Sequence, residues 1–152
     1  MSRLPSIKIV ETTFEGPLWK ELVALRFEVY VDEQRGPPEL ELDEDDKTAI
    51  HLAAFSEHLL AGTARLVVSN KKAKIGRLAV RAPYRGLGYG KALLAYSIDL
   101  AHGLHLSRLE LDAQTTVTGL YESFGFAQVG ETFLDAGLLH IKMVMDLCRA
   151  KC

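Results

Sequence analysis

The chain has 152 residues, 48% of them hydrophobic and 25% charged, the size and makeup of one globular domain. Eighteen Lys+Arg against twenty Asp+Glu leave a net charge of −2, which excludes the charge skew of a disordered tail and the basic excess of a general nucleic-acid binder. The two cysteines, Cys148 and Cys152, fall too close together at the end to make a disulfide framework or a zinc site. No apolar run reaches the ~18 residues of a membrane span, and Met1-Ser2-Arg3-Leu4-Pro5 lacks the apolar core of a signal peptide. The expectation is a single cytoplasmic domain over residues 1–152, with no membrane, metal or nucleic-acid partner.

Ile7 to Thr13 alternates as a strand, and Gly16-Pro17 breaks it. Leu18, Leu22, Leu25 and Val29 then recur at helical spacing, which predicts one amphipathic helix from Pro17 to about Glu33. Gly36-Pro37-Pro38 ends it. Glu39 to Asp46 (ELELDEDD) carries six acids in eight residues and reads as an exposed, solvated loop.

Ile50–Phe55, Leu59–Ser69 and Ala73–Val80 read as three antiparallel strands. Arg81-Ala82-Pro83-Tyr84 leads into a glycine-rich stretch, followed by a helix with Leu94, Ile98 and Ala101 on one face, closed by His102-Gly103. Arg108–Ala113 alternates as a strand, Val117–Phe124 as a short helix ended by Gly125, and strands at about 126–132 and 138–146 finish the chain. The fold class is α/β (α+β): a mixed, mostly antiparallel sheet of six or seven strands flanked by helices, in the order β-α-βββ-α-β-α-ββ.

Gly86, Gly88 and Gly90 alternate between the end of a strand and the start of a helix. Glycines there let backbone N–H groups face inward at the positive end of a helix dipole, a geometry that binds phosphate. The Walker pattern fails because Ala92 follows Lys91. A dinucleotide fingerprint fails for want of its third glycine, the positions being Lys91 and Leu93.

Arg85-Gly86-Leu87-Gly88-Tyr89-Gly90 resembles the R/Q-x-x-G-x-G/A signature of the Gcn5-related N-acetyltransferases (GNAT). Ile75-Gly76-Arg77-Leu78-Ala79-Val80 is similar to their fourth strand, and Leu120-Tyr121-Glu122-Ser123-Phe124-Gly125-Phe126 to their "LYEKLGF" segment. The stretch Arg26 to Gln34, with Glu41, Asp43 and Asp46, resembles the ElaA-like branch. Gly137 to Met143 resembles that branch and the glyphosate N-acetyltransferases.

The resemblance implies acetyl-CoA as co-substrate and no metal. It assigns the pyrophosphate to the amides of Arg85, Gly86, Leu87, Gly88, Tyr89, Gly90 and Lys91, and the pantetheine arm to backbone groups of Leu78, Ala79 and Val80. Gln114 stands where many members contact the cofactor through an asparagine. Tyr121 matches the general acid that protonates the departing thiolate, and His140 a catalytic base, with His51 as a competitor for that role.

Arg26 and Arg77 match two arginines that hold an anionic substrate, whereas the third of that set is Gln114 here. Arg26 has an alternative role, pairing with a carboxylate of the 39–46 run. The function implied is direct acetyl transfer to a primary amine, of a small molecule, in a ternary complex. Alternatives are an acyl-CoA-binding regulatory protein and a protein lysine or N-terminal acetyltransferase. Homodimers are common in this superfamily, and the resemblance implies residues 126–146, at the end of the sheet, as the face that could build one.

Overall fold

The computed structural model describes residues 6–147, so Cys148 and Cys152 lie outside the described residues. Seven strands form one sheet: β1 (Ile7–Thr12), β2 (Ile50–Ser56), β3 (Leu59–Ser69), β4 (Lys72–Val80), β5 (Arg108–Gln114), β6 (Ala127–Asp135) and β7 (Leu138–Asp146). Their order across the sheet is β1-β2-β3-β4-β5-β7-β6. Every neighbouring pair is antiparallel except β4 and β5, which run parallel and are joined by the crossover helix α3 (Tyr89–Gly103). The element order matches the expected one.

Period-two alternation along the strands loads the two faces differently. On one face Leu52, Ala54, Leu66 and Ile75 pack with Leu93, Leu94 and Ala101 of α3. On the other, Ala53, Leu60 and Ala79 receive Leu22 and Leu25 from α1 (Trp19–Arg26), together with Val29. Leu22 and Leu25 are wholly inaccessible, and truncating either to alanine costs about 2–5 kcal/mol.

The first helix departs from expectation. The chain is α-helical only over Trp19–Arg26 and then widens into a π-helix over Phe27–Glu33, with Gln34 N–H bonding the carbonyl of Val29 five residues back. Hydrophobic spacing does not reveal the change, because one extra residue per turn leaves Leu22, Leu25 and Val29 on the same buried side.

The 39–46 run is largely exposed, as its charge suggests, except at Glu41 and Asp46, and it is ordered rather than a plain loop. It forms a short helical turn α2 (Pro38–Glu41) and a 3₁₀ turn (Glu44–Lys47) closed by a reciprocal capping box between Asp43 and Asp46. Glu41 and Asp46 are buried. The last helix, α4, covers Thr118–Ser123.

Candidate active site

The parallel pairing of β4 with β5 runs from Lys72↔Arg108 to Ile75↔Leu111 and ends there. Beyond it β4 stays with β3 as far as Val80, while β5 follows β7 as far as Gln114. The two strands therefore part in mid-sheet and leave an opening between them. Two adjoining cavities of about 280 and 240 Å³ fill it, with Tyr30, Gln34, Gly76, Arg77, Gln114 and His140 lining both. Tyr121 and Leu78 line the second, and Glu41, Asp45 and Leu138 the first.

Of the residues singled out in the sequence, Tyr121, His140, Arg77, Leu78 and Gln114 come together here. Gln114 and His140 are direct partners across β5 and β7. The Nδ1–H of His140 donates to the Leu138 carbonyl at 2.8 Å, and its ring stacks on Phe133 at 6.0 Å. A carbonyl can only accept, so the bond fixes the tautomer and leaves Nε2 with a free lone pair. Tyr121 sits edge-on to Phe126, and burial pushes its phenol above the usual range, so it stays protonated at neutral pH. The geometry thus pairs a proton acceptor with a proton donor in one opening.

Ahead of α3, Gly86 (φ +76°) and Gly88 (φ +98°) adopt left-handed backbone conformations open to glycine. A Cβ at Gly86 would meet nothing within 4 Å, so the loop is an uncrowded cradle. No side chain caps the start of α3, and its first turn carries no acid. Its leading N–H groups and the helix dipole are available to an anion such as a pyrophosphate. Arg85 flanks the loop, with Nε donating to the Val80 carbonyl at 2.8 Å and both Nη atoms on Glu33 at 2.8 and 2.9 Å. Lys91 is exposed in the first turn. Tyr89 offers only its backbone, because its ring is buried edge-on to Tyr84. The backbone of Ala79 is opposite Thr63 in the β3 ladder, whereas the carbonyls of Leu78 and Val80 accept from Tyr30 and Arg85.

Arg26 lies elsewhere than the resemblance implies. It is 1% exposed, with Nε on Glu41 at 2.8 Å, Nη1 on Asp46 at 2.8 Å and Nη2 on the Glu41 carbonyl and Asp46. All its nitrogens are engaged and no solvent path reaches it, so it is a structural ion-pair residue and not a substrate ligand. The alternative pairing with the acidic run is the one the fold contains.

Arg65 joins the same network, on Asp43 and Asp46 at 2.7 Å each. Burial pushes the Asp46 carboxyl up, but hydrogen bonds from Arg26, the Asp43 amide and Arg65 overcome it and hold the group at about 2. The bond from Arg65 likewise lowers Asp43. His51 is buried too, its Nε2–H donating to the Asp46 carbonyl at 2.9 Å and its ring against Trp19. Burial lowers its pKa, and it lines neither cavity. Of the two histidines weighed for the base role, only His140 lines the opening.

Arg77 does reach the cavity. Its Nε and Nη2 are held by Glu41, Asp43 and the carbonyls of Leu40 and Glu41. Three further residues at the site are given no role by the sequence reading. Tyr30 donates to the Leu78 carbonyl at 2.6 Å, Gln34 accepts from Gln114 at 3.2 Å, and Arg65 lines the larger cavity. Tyr30 and Gln34 fall inside or just after a predicted helix, and in the structure Tyr30 lies within the π-helix and Gln34 directly follows it. No group of His, Cys, Asp and Glu suited to a metal occurs among the described residues.

Residues 20–147 match the acetyltransferase (GNAT) domain family. Protein ElaA of Escherichia coli is 30% identical over 135 residues, covering 85% of this chain and 88% of ElaA; its crystal structure superposes with a TM-score of 0.82 over 91% of this chain and 99% of that one. An acyl-CoA N-acyltransferase from Pseudomonas aeruginosa is 29% identical, with a TM-score of 0.80 over 91% of this chain and 99% of the other. The same fold recurs in a GNAT family acetyltransferase from Elizabethkingia anophelis with acetyl-CoA bound, at a TM-score of 0.70 and 21% identity over 93% of this chain and 98% of that one. With its glycine cradle, parted strands and matched domain, the chain belongs to the GNAT acetyltransferases, on their ElaA-like branch, and is an acyltransferase.

Proposed function

We propose that the chain transfers acetyl from acetyl-CoA to the primary amine of a small molecule, by direct attack in a ternary complex in the cytoplasm. The observation that carries the reading is the placement of Tyr121 and His140 in one opening between β4 and β5, beside the glycine cradle. Acetyl-CoA supplies the activated acyl group. The amides of residues 85–91 hold its pyrophosphate at the start of α3. In an extended strand the N–H and C=O of one residue point the same way. The N–H groups of Leu78 and Val80 thus face the opening, on the side of the carbonyls that Tyr30 and Arg85 occupy. One of them polarises the acyl carbonyl while the other aligns the pantetheine arm.

Nε2 of His140 takes the proton of the attacking amine, and the Tyr121 phenol delivers one to the departing sulfur. Gln114 orients the cofactor beside Gln34. Arg77 keeps Nη1 for an acceptor carboxylate or phosphonate, its other donors being held by the acidic segment. A cavity of about 280 Å³ suits a small acceptor. Exposed Phe133, Leu134, Leu138 and Leu139 on the β6–β7 edge support a homodimer face, which sedimentation velocity checks.

The test is CoA release across a panel of amines, run beside a direct acetyl-CoA binding assay. Turnover with small amines supports the reading. Tight binding without turnover supports a regulatory acyl-CoA binder instead, and label appearing in lysate protein supports a protein acetyltransferase.

A further inference from the structure

We propose that Tyr30 is a positioning residue for acetyl transfer, its phenol locking the bulged Arg77–Leu78 stretch of β4 so that the Leu78 N–H is aimed into the opening. The proposal rests on the transfer reading above for its kinetic arm only. Between the pairs Thr63↔Ala79 and Arg65↔Gly76, β4 has two residues, Arg77 and Leu78, where β3 has only Ala64. The extra residue makes a β-bulge where β4 has already lost β5 as a neighbour. Arg77 takes φ +52°, a left-handed conformation that a side-chain-bearing residue keeps only when its surroundings impose it.

Two anchors impose it. The Arg77 guanidinium is gripped by Glu41 and Asp43. The Leu78 carbonyl accepts from Tyr30 at 2.6 Å, from a residue 48 positions earlier on the π-helix. That bond holds the Leu78–Ala79 peptide from the side of the opening, as Thr63, the ladder partner of Ala79, holds it from the side of β3.

The bond has an electrostatic consequence as well. A carbonyl oxygen turned toward the opening places partial negative charge where the acyl oxygen gains its own during attack. The Tyr30 O–H offsets that charge, so the amide dipoles of the strand act without opposition. Burial pushes the Tyr30 phenol up, which keeps it a donor through the working pH range. Tyr30 also packs against the α1 side of the core, so a purely structural role must be separated from this one.

Tyr30→Phe keeps the ring and removes the donor. The expected result is a fall in kcat of about tenfold to a hundredfold, with acetyl-CoA Kd and acceptor KM within about twofold of wild type. The second arm uses protein labelled in leucine with carbonyl ¹³C and amide ¹⁵N. Acetyl-CoA is expected to shift the Leu78 amide of the wild type downfield and to move it far less in Tyr30→Phe. An unchanged kcat, or a Leu78 response equal in the two proteins, overturns the proposal. If the wild type binds acetyl-CoA but acetylates no amine, the transfer reading fails while the Leu78 comparison still decides the role of Tyr30. If the phenylalanine variant does not fold, 3-fluorotyrosine at position 30 keeps the shape and strengthens the donor. A moved Leu78 carbonyl resonance then supports the proposal, and an unmoved one overturns it.

Discussion

Arg26 and Asp46, twenty positions apart in sequence, meet at 2.8 Å with both side chains 1% exposed. The pair is completed by Glu41 and Arg65, so the buried charges are matched, while Arg65 Nε is left without a hydrogen-bond partner. The two buried members of the acidic run thus form a clasp that fixes α1 to β3 and to the floor of the larger cavity.

Removing one member leaves its partners buried and charged. Arg26→Ala is expected to destabilise the protein by about 3–5 kcal/mol, read as a lower urea midpoint. Its acceptor KM, measured where the variant remains folded, is expected to match wild type. A raised KM at full stability would return Arg26 to the substrate site.

The same clasp sets the acid limit. The Asp46 carboxyl is depressed from 3.8 to about 2 in the folded protein, so its contribution is complete above the unfolded value. It is lost as pH falls from about 4 to about 2 and amounts to about 2 kcal/mol. Unfolding free energy measured across that window is expected to drop for the wild type. Asp46→Asn, already weakened at neutral pH, is expected to show a shallower drop.

Tyr121→Phe is expected to lower kcat by about a hundredfold while acetyl-CoA affinity barely changes, because the ring still packs on Phe126. Steady-state kinetics beside a titration of acetyl-CoA separates the two. An unchanged kcat with a good acceptor removes Tyr121 from proton delivery.

His140→Ala is expected to cost a comparable factor in kcat/KM, because it removes the Nε2 lone pair that takes the amine proton. His51→Ala is expected to leave kcat/KM alone where the variant is folded, since His51 is enclosed between Trp19 and the Asp46 carbonyl. If His140→Ala keeps the wild-type kcat/KM with a good acceptor, another group is the base.

Much of this site is legible in the sequence. Local pattern marked β3 and β7 at their observed ends, and the alternating glycines located the start of α3. Tyr121, His140 and Arg77 were reached through motif resemblance and do share one opening. What stayed hidden depends on long-range geometry. The parting of β4 from β5 after Ile75 and Leu111 leaves no local trace, because both strands keep a partner on the other side. The burial of Arg26, Glu41 and Asp46 inverts the usual reading of charged residues, and it becomes visible only when three arginines meet three acids in space. Tyr30 hides for a third reason, that it lies in a widened turn which the hydrophobic spacing does not reveal.

That widened turn also sets what the segment can tolerate. From one short stretch, Tyr30 reaches β4, Glu33 reaches the loop before α3, and Gln34 reaches the end of β5. Each added or deleted residue in a helix rotates everything after it about the helix axis. The length of the stretch from position 27 to 36 is therefore constrained along with its three contacting side chains, since one deletion would detach all three contacts together.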